Sequence, residues 1–129
     1  MLNKTSYSSI KGVVMRKNVF DVQQFMMSLA NDEELARELV AAFLEDGPKR
    51  MASFSEALGA ADAESVSKLA HSLKGMSGVV HASSLSDMAL EMEYAARNGK
   101  LSSVRDRLAE FKARFKQASD CMKQFLDEN

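Results

Sequence analysis

Several residue types are scarce in this chain of 129 residues, which has one cysteine, one proline and no tryptophan. Because Cys121 is the single cysteine, no internal disulfide can form, and the sequence predicts a reducing, cytoplasmic location. The charges almost balance, with 17 Lys and Arg against 18 Asp and Glu. No strong overall field therefore attracts nucleic acid or a membrane surface. No apolar run approaches the roughly 20 residues of a membrane span. From the charge balance and the short apolar runs together, we expect neither nucleic acid nor a membrane as a partner.

Patterns typical of several enzyme classes are also missing from the sequence. There is no glycine-rich nucleotide loop and no GxxxxGK(S/T) motif, so we expect no kinase activity with ATP. No set of Cys, His and carboxylate residues has the usual spacing of metal ligands, so we predict neither a metal site nor a cofactor. No segment alternates polar and apolar residues between turn signals, and the sequence therefore gives no support to a sheet.

From residue 18 onward, by contrast, apolar residues recur at helical spacing. The segment 1–17 is rich in Ser and Lys and sustains no such periodicity, so we predict a flexible tail or linker there. The remaining residues, 18–129, are expected to form one domain, because this length suits a single hydrophobic core.

Capping and turn signals divide this domain into five predicted helices. They cover about 21–29, 31–59, 63–80, 82–97 and 101–126. Asn31-Asp32 caps the second helix, which we expect to bend but not to stop at Gly47-Pro48. The residues of its first half predicted to face inward are Leu35, Leu39, Ala42 and Phe43. The predicted fold class is all-α, an antiparallel up-down four-helix bundle with a short extra N-terminal helix.

One histidine of the third predicted helix lies out of phase with the core. His71 follows Leu69 by two residues and precedes Leu73 by two, and both leucines belong to the apolar stripe. Two residues turn a helix by about 200°, so His71 is predicted to face solvent. The residues that share its exposed face are Ser67, Lys68, Lys74, Gly75 and Gly78.

The two glycines on this face are unexpected, because glycine inside a helix costs about 1 kcal/mol relative to alanine. One reason for them is access: Gly75, one turn beyond His71, leaves the imidazole uncovered, and Lys74 supplies charge for an anion or a phosphoryl group. Imidazole is a competent nucleophile at neutral pH. The sequence is equally compatible with a purely structural role, in which Gly75 and Gly78 allow another helix to pack closely and His71 is an ordinary surface residue.

The stretch 70–85, AHSLKGMSGVVHASSL, resembles the signature of the histidine phosphotransfer (HPt) domain family, AHxLKGxxxxxGAxxL. Ala82, eleven residues after His71, and Leu85, fourteen residues after it, also match the signature. The resemblance extends over most of 18–126, including the opening LARELVAAFLED. It implies a helical bundle that carries a phosphoryl group between aspartates of receiver domains, which belong to response regulators or hybrid histidine kinases.

The resemblance also implies roles for individual residues. His71 is the expected phospho-acceptor, through Nε2, with Lys74 stabilising the phosphate charge and Gly75 giving access. The residues expected at the receiver-docking surface are Ser67, Lys68, Gly78, Glu93 and Arg97. Glu93 is also a candidate to orient His71. We expect the receiver domain to supply Mg²⁺, and we expect this chain to act as a monomer.

The sequence departs from the family pattern at His81, where a glycine is usual between the third and fourth helices. Histidine tolerates the left-handed conformation better than most residues, so the turn is expected to survive. No basic residue neighbours His81, which disfavours a second acceptor role there. Two alternative functions remain: an adaptor that docks receiver domains without phosphotransfer, and a purely structural bundle. The sequence is compatible with a free-standing shuttle and with part of a hybrid kinase.

Overall fold

The structure, a computed structural model, describes residues 17–128, and these are almost entirely helical. Its helices are α1 (Val22–Ser28), α2 (Glu33–Gly59), α3 (Ala63–Val79), α4 (Ser83–Arg97) and α5 (Leu101–Glu128). Residues 17–19 are helical as well. No strand occurs in this part of the chain, and the predicted all-α fold class is confirmed. The predicted tail lies outside the described residues, apart from Lys17.

Aspartates begin the first three helices. The side chains of Asp21, Asp32 and Asp62 each accept a hydrogen bond of 3.1 Å from the backbone N–H three residues further on. These bonds satisfy donors that the first turn leaves unpaired. At Asp62 the Ser65 hydroxyl donates a further bond of 2.7 Å, and this bond and then the backbone bond lower the pKa of the carboxyl below its ordinary value. The start of α3, the helix that carries His71, is thereby fixed.

The second helix runs through Pro48 without stopping, as predicted. Gly47, next to the proline, is buried, and a Cβ at this position would lie 2.8 Å from Cζ of Phe115. The Phe115 ring is stacked on Phe43, with 5.6 Å between centroids. The absence of a side chain at Gly47 therefore lets α5 bring its aromatic ring against the backbone of α2.

The inward face of α2 differs from the prediction. Phe43 is buried as expected, but Ala42 is exposed, Leu35 is 38% exposed and Leu39 is only partly buried. The residues that α2 buries are Ala36, Val40, Phe43, Gly47, Met51, Phe54 and Leu58. Small residues carry little apolar signal in a sequence, whereas close packing between helices favours them. The prediction followed the leucines and so missed the small residues of this face.

The four long helices form the predicted bundle. α3 packs between α2 and α4, and α5 closes the bundle against the same two helices, so that α3 and α5 are diagonally opposite. The most extensive contact joins α3 to α4. The core includes Phe54, Phe111, Leu73, Leu85, Met88, Met92 and Met122. Within residues 17–128 we find no helix long and apolar enough to cross a membrane.

The short helix α1 covers one end of the bundle through aromatic contacts. The Phe20 ring lies 5.7 Å from Phe25 and 5.8 Å from Phe125 of α5, between centroids. The backbone N–H of Asp21 donates to the carbonyl oxygen of His81 at 2.9 Å and so ties α1 to the turn between α3 and α4. His81 has a φ of 59°, which confirms that histidine adopts the left-handed conformation here. Its ring, 6.5 Å from Phe25, packs at the same end.

Gly47→Leu is expected to lower the free energy of unfolding by about 1–3 kcal/mol, because a side chain at this position must displace the Phe115 ring. Gly59→Leu is the matched control, since Gly59 is an exposed residue of α2 whose added Cβ would meet no atom within 4 Å. Urea denaturation, followed by circular dichroism, measures the free energy of unfolding of both variants. Equal stability of the two would show that the approach of α2 and α5 does not depend on Gly47.

Candidate functional site

His71 lies in the middle of α3, and its side chain is 64% exposed. Leu73, two residues along the helix, is buried, so the solvent-facing phase predicted for His71 is confirmed. The remaining residues predicted for this face are all exposed or partly buried: Ser67, Lys68, Lys74, Gly75 and Gly78. The helix thus presents one imidazole with small and basic residues around it.

A buried carboxylate from α4 contacts the imidazole. Glu93 is 3% exposed, and its Oε2 lies 3.0 Å from Nδ1 of His71. An ionised carboxylate only accepts hydrogen bonds, so Nδ1 carries the proton and donates it to Oε2. In the neutral ring the second nitrogen, Nε2, then keeps its lone pair, on a side chain that is 64% exposed. This contact holds the ring in one orientation and in one tautomer.

Two cations share the same carboxylate. Nη2 of Arg97, one turn further along α4, donates to Oε2 at 2.5 Å. Nζ of Lys74 lies 3.5 Å from Oε1, and this oxygen accepts no hydrogen bond from any described residue. Electrostatic attraction therefore holds the Lys74 ammonium near Glu93, with no hydrogen bond between them. A buried carboxylate needs such compensation, because its removal from water is costly unless cations or donors surround it.

Neither glycine of the exposed face is required for close helix packing. A Cβ on Gly75 would meet no atom within 4 Å, and a Cβ on Gly78 would meet only Oγ of Ser86, at 3.8 Å. The second distance is an ordinary van der Waals contact. A close-packing role for the two glycines is therefore excluded, and the clear space around His71 supports access to the ring.

The residues predicted for partner docking fall into two groups. Ser67, Lys68 and Arg97 line a shallow groove between α3 and α4, beside His71, while Gly78 is exposed one turn beyond Gly75. The docking role predicted for Glu93 is corrected, because a side chain that is 4% exposed offers almost no surface to a partner. Its contact with Nδ1 of His71 is the one that an orienting role, the second possibility indicated by the sequence, requires.

Sequence reasoning missed Arg50 of α2. Its Nη1 donates a hydrogen bond of 2.5 Å to Oγ of Ser72, the residue after His71. No local pattern identifies this contact, because it depends on how α2 and α3 align across the bundle. In the described part of the chain, no group of three or more His, Cys, Asp and Glu residues could hold a metal ion.

Comparison with known proteins shows which family and which solved structures the chain resembles. The Hpt domain family model matches residues 38–121. Histidine-containing phosphotransfer protein B (HptB) from Pseudomonas aeruginosa PAO1 has a TM-score of 0.79 and 26% identity, over 85% of this chain and 96% of that chain. The HPT domain of an Hpt sensor hybrid histidine kinase from Shewanella has a TM-score of 0.79 and 18% identity, over 88% of this chain and 97% of that chain. At that identity the second likeness shows the fold alone. No curated protein sequence matches the chain significantly.

The family model covers more than half of the chain, including all of α3 and α4. The chain therefore belongs to the Hpt domain family, as the AHSLKG segment predicted. It is a histidine phosphotransfer protein of a phosphorelay, and Hpt domains work with receiver domains of two-component systems. The comparisons do not favour the alternative of an adaptor that lacks phosphotransfer.

Glu93→Leu is expected to preserve the fold but to release the ring of His71. The partners of Glu93 all reach water, since the side chains of His71, Lys74 and Arg97 are 64%, 31% and 58% exposed, so none is left as an unpaired buried charge and the free energy of unfolding should change little. Without the carboxylate, the His71 ring should populate both tautomers, which ¹⁵N NMR of the imidazole nitrogens detects. Glu91→Leu is the control, since the exposed Glu91 pairs with Arg107. An unchanged tautomer in Glu93→Leu would contradict the orienting role.

Gly75→Leu is expected to fold normally and to lose phosphotransfer. A Cβ added at Gly75 meets no atom within 4 Å, so the fold has room for the substitution, while the leucine covers the space one turn beyond His71. Thermal unfolding and the rate of transfer to a receiver domain are measured together. Gly59→Leu, a second exposed glycine with nothing around its added Cβ, controls for the effect of a surface leucine. Wild-type transfer rates in Gly75→Leu would disprove the access argument.

Proposed function

We propose that His71 accepts a phosphoryl group from the phosphorylated aspartate of one receiver domain and passes it to the aspartate of another. The receivers belong to response regulators or to hybrid histidine kinases. The contact between Nδ1 of His71 and the buried carboxylate of Glu93 is the observation that carries this proposal. It leaves Nε2 as the nucleophile, on a ring that extends into solvent where a partner can reach it.

In the forward step, the Nε2 lone pair attacks the phosphorus of the aspartyl phosphate. An N–P bond forms, the P–O bond to the aspartate breaks, and the aspartate leaves as a carboxylate with that electron pair. Because Nδ1 keeps its proton, the ring gains positive charge as the N–P bond forms. The Glu93 carboxylate, 3.0 Å from Nδ1, stabilises this charge. In the return step, a receiver carboxylate attacks phosphorus and the imidazole leaves neutral.

Lys74 supplies positive charge on the side of the ring nearest Glu93. Its side chain is 31% exposed and is held near Oε1 by charge alone, so its ammonium group can turn toward a phosphoryl group on Nε2. Phosphoryl transfer depends chiefly on positioning and on stabilisation of the phosphoryl oxygens. A flexible ammonium group next to the ring meets the second requirement.

We expect Mg²⁺ to be held by the receiver domain. The carboxylate nearest to His71, that of Glu93, already compensates Lys74 and Arg97, so it is a poor ligand for a further cation. We also propose that the protein acts as a monomer in the cytoplasm. One exposed His71 is sufficient for each transfer, and the lone Cys121, partly buried in α5, fits a reducing compartment.

Incubation with a ³²P-labelled receiver domain tests the assignment of the acceptor. The wild-type protein should gain acid-labile, alkali-stable label, and His71→Gln should gain none, because the amide has no nucleophilic ring nitrogen. His81→Asn is the matched control. It removes the second histidine, while asparagine tolerates the left-handed conformation of that turn. This variant should be labelled like the wild type.

Two outcomes would contradict the proposal. Equal labelling of the wild type and His71→Gln would place the phosphoryl group on a different residue. Stable binding of the receiver by the wild type without any label would favour the adaptor, which docks receiver domains without phosphotransfer.

A further inference from the structure

A guanidinium group from α2 contacts α3 at the residue next to His71, whereas Glu93 contacts His71 from α4. Nη1 of Arg50 donates to Oγ of Ser72 at 2.5 Å, and Ser72 is the next residue after His71. The Arg50 side chain is exposed, so the hydrogen bond to Ser72 fixes one edge of the guanidinium while its remaining N–H groups face solvent. The surface around His71 thus extends onto α2 as well as α4.

Arg50 differs from the rest of the cations around His71 in its charge compensation. Lys74 and Arg97 both pair with Glu93, and Lys68 pairs with Glu64 at 3.3 Å. Within residues 17–128, no carboxylate oxygen lies within 4.0 Å of the Arg50 guanidinium. The full charge of Arg50 is therefore available to an acidic group of a partner.

We infer that Arg50 is a docking residue that pairs with a carboxylate on the acidic surface of a receiver domain. This inference rests on the proposed function. A receiver places its phospho-accepting aspartate, with the carboxylates that bind Mg²⁺, against the phosphohistidine. A guanidinium is suited to carboxylates because its N–H groups form a planar fork that binds both oxygens.

The size of a typical protein interface places Arg50 within reach of a receiver that is centred on His71. A specific interface buries about 800 Å² on each partner, which corresponds to a patch with a radius of about 16 Å. Consecutive Cα atoms lie about 3.8 Å apart, so Ser72 and the guanidinium bound to it fall well inside a patch centred on His71. A receiver whose interface is centred on Nε2 therefore covers Arg50 as well. A negative charge on the receiver opposite Arg50 would accelerate the association of the two proteins and would favour some receivers over others.

The test separates docking from chemistry by using two phosphoryl transfer reactions. In the first, phosphoramidate, a small molecule, labels histidine without any docking surface. In the second, the labelled protein transfers its phosphoryl group to the receiver domain that accepts it fastest among a panel of purified receivers. Initial rates at increasing receiver concentration give KM and kcat. The variants are Arg50→Glu, Arg50→Gln and Arg50→Lys.

We expect Arg50→Gln to raise KM for the receiver about threefold, as for the loss of one exposed ion pair. Arg50→Glu should raise KM about tenfold, and Arg50→Lys should stay closest to the wild type. The value of kcat and the rate of labelling by phosphoramidate should change less than about twofold, and the differences in KM should shrink in about 0.5 M salt.

Arg105→Glu is the matched control. Arg105 is also an exposed arginine that makes a single hydrogen bond, to the carbonyl oxygen of Leu58, but it lies on α5, across the bundle from α3. Wild-type KM values in the Arg50 variants, or an equal rise in Arg105→Glu, would overturn the docking role alone. Slower labelling by phosphoramidate would also overturn it, by showing a role in the chemistry or the fold. Absence of transfer by the wild type would overturn the proposed function and the docking role together.

Discussion

The carboxylate of Glu93, buried between α3 and α4, is the constraint on which the geometry of the His71 site depends. Glu93 as a residue is 3% exposed, and its carboxylate is surrounded by the imidazole of His71, the ammonium of Lys74 and the guanidinium of Arg97. A hydrogen bond between a carboxylate and an imidazole that were both in water would be weak and transient. Because the Glu93 carboxylate is buried, its hydrogen bond to the His71 ring is stronger and keeps the ring in one orientation. The exposed ring thus has a rigid support inside the bundle.

The close contact between α3 and α4 positions this support. Ala70 of α3 and Ala89 and Ala96 of α4 are fully or almost fully buried, so small side chains form part of the buried face of each helix. The hydroxyl of buried Ser77 donates a hydrogen bond of 2.7 Å to the carbonyl oxygen of Leu73, so this polar group is satisfied within α3. Because the core is closely packed, larger residues at these buried positions would disturb the arrangement that brings Glu93 to Nδ1 of His71.

The turn that joins α3 to α4 also contacts α1 and the residue before it at one end of the bundle. His81 takes the left-handed conformation there, and its carbonyl oxygen accepts the hydrogen bond from Asp21. A glycine would allow the same backbone, but it would leave out the ring that packs 6.5 Å from Phe25. The departure from the family pattern therefore coincides with a contact to α1, and the histidine has a structural role that requires no second phosphorylation site.

The sequence by itself determined the fold class, the helix boundaries within a few residues, and the solvent-facing phase of His71. These follow from local rules: apolar periodicity, turn residues with the Asn31-Asp32 cap, and the rotation of a helix between Leu69 and Leu73. The AHSLKG segment added the family, because its residues are adjacent in the chain. The tertiary structure decided that Glu93 is buried, that α2 turns Ala36 and Gly47 inward, and that Arg50 reaches Ser72. Each of these depends on the register and separation of two helices, which close packing of the whole core sets and no single segment encodes.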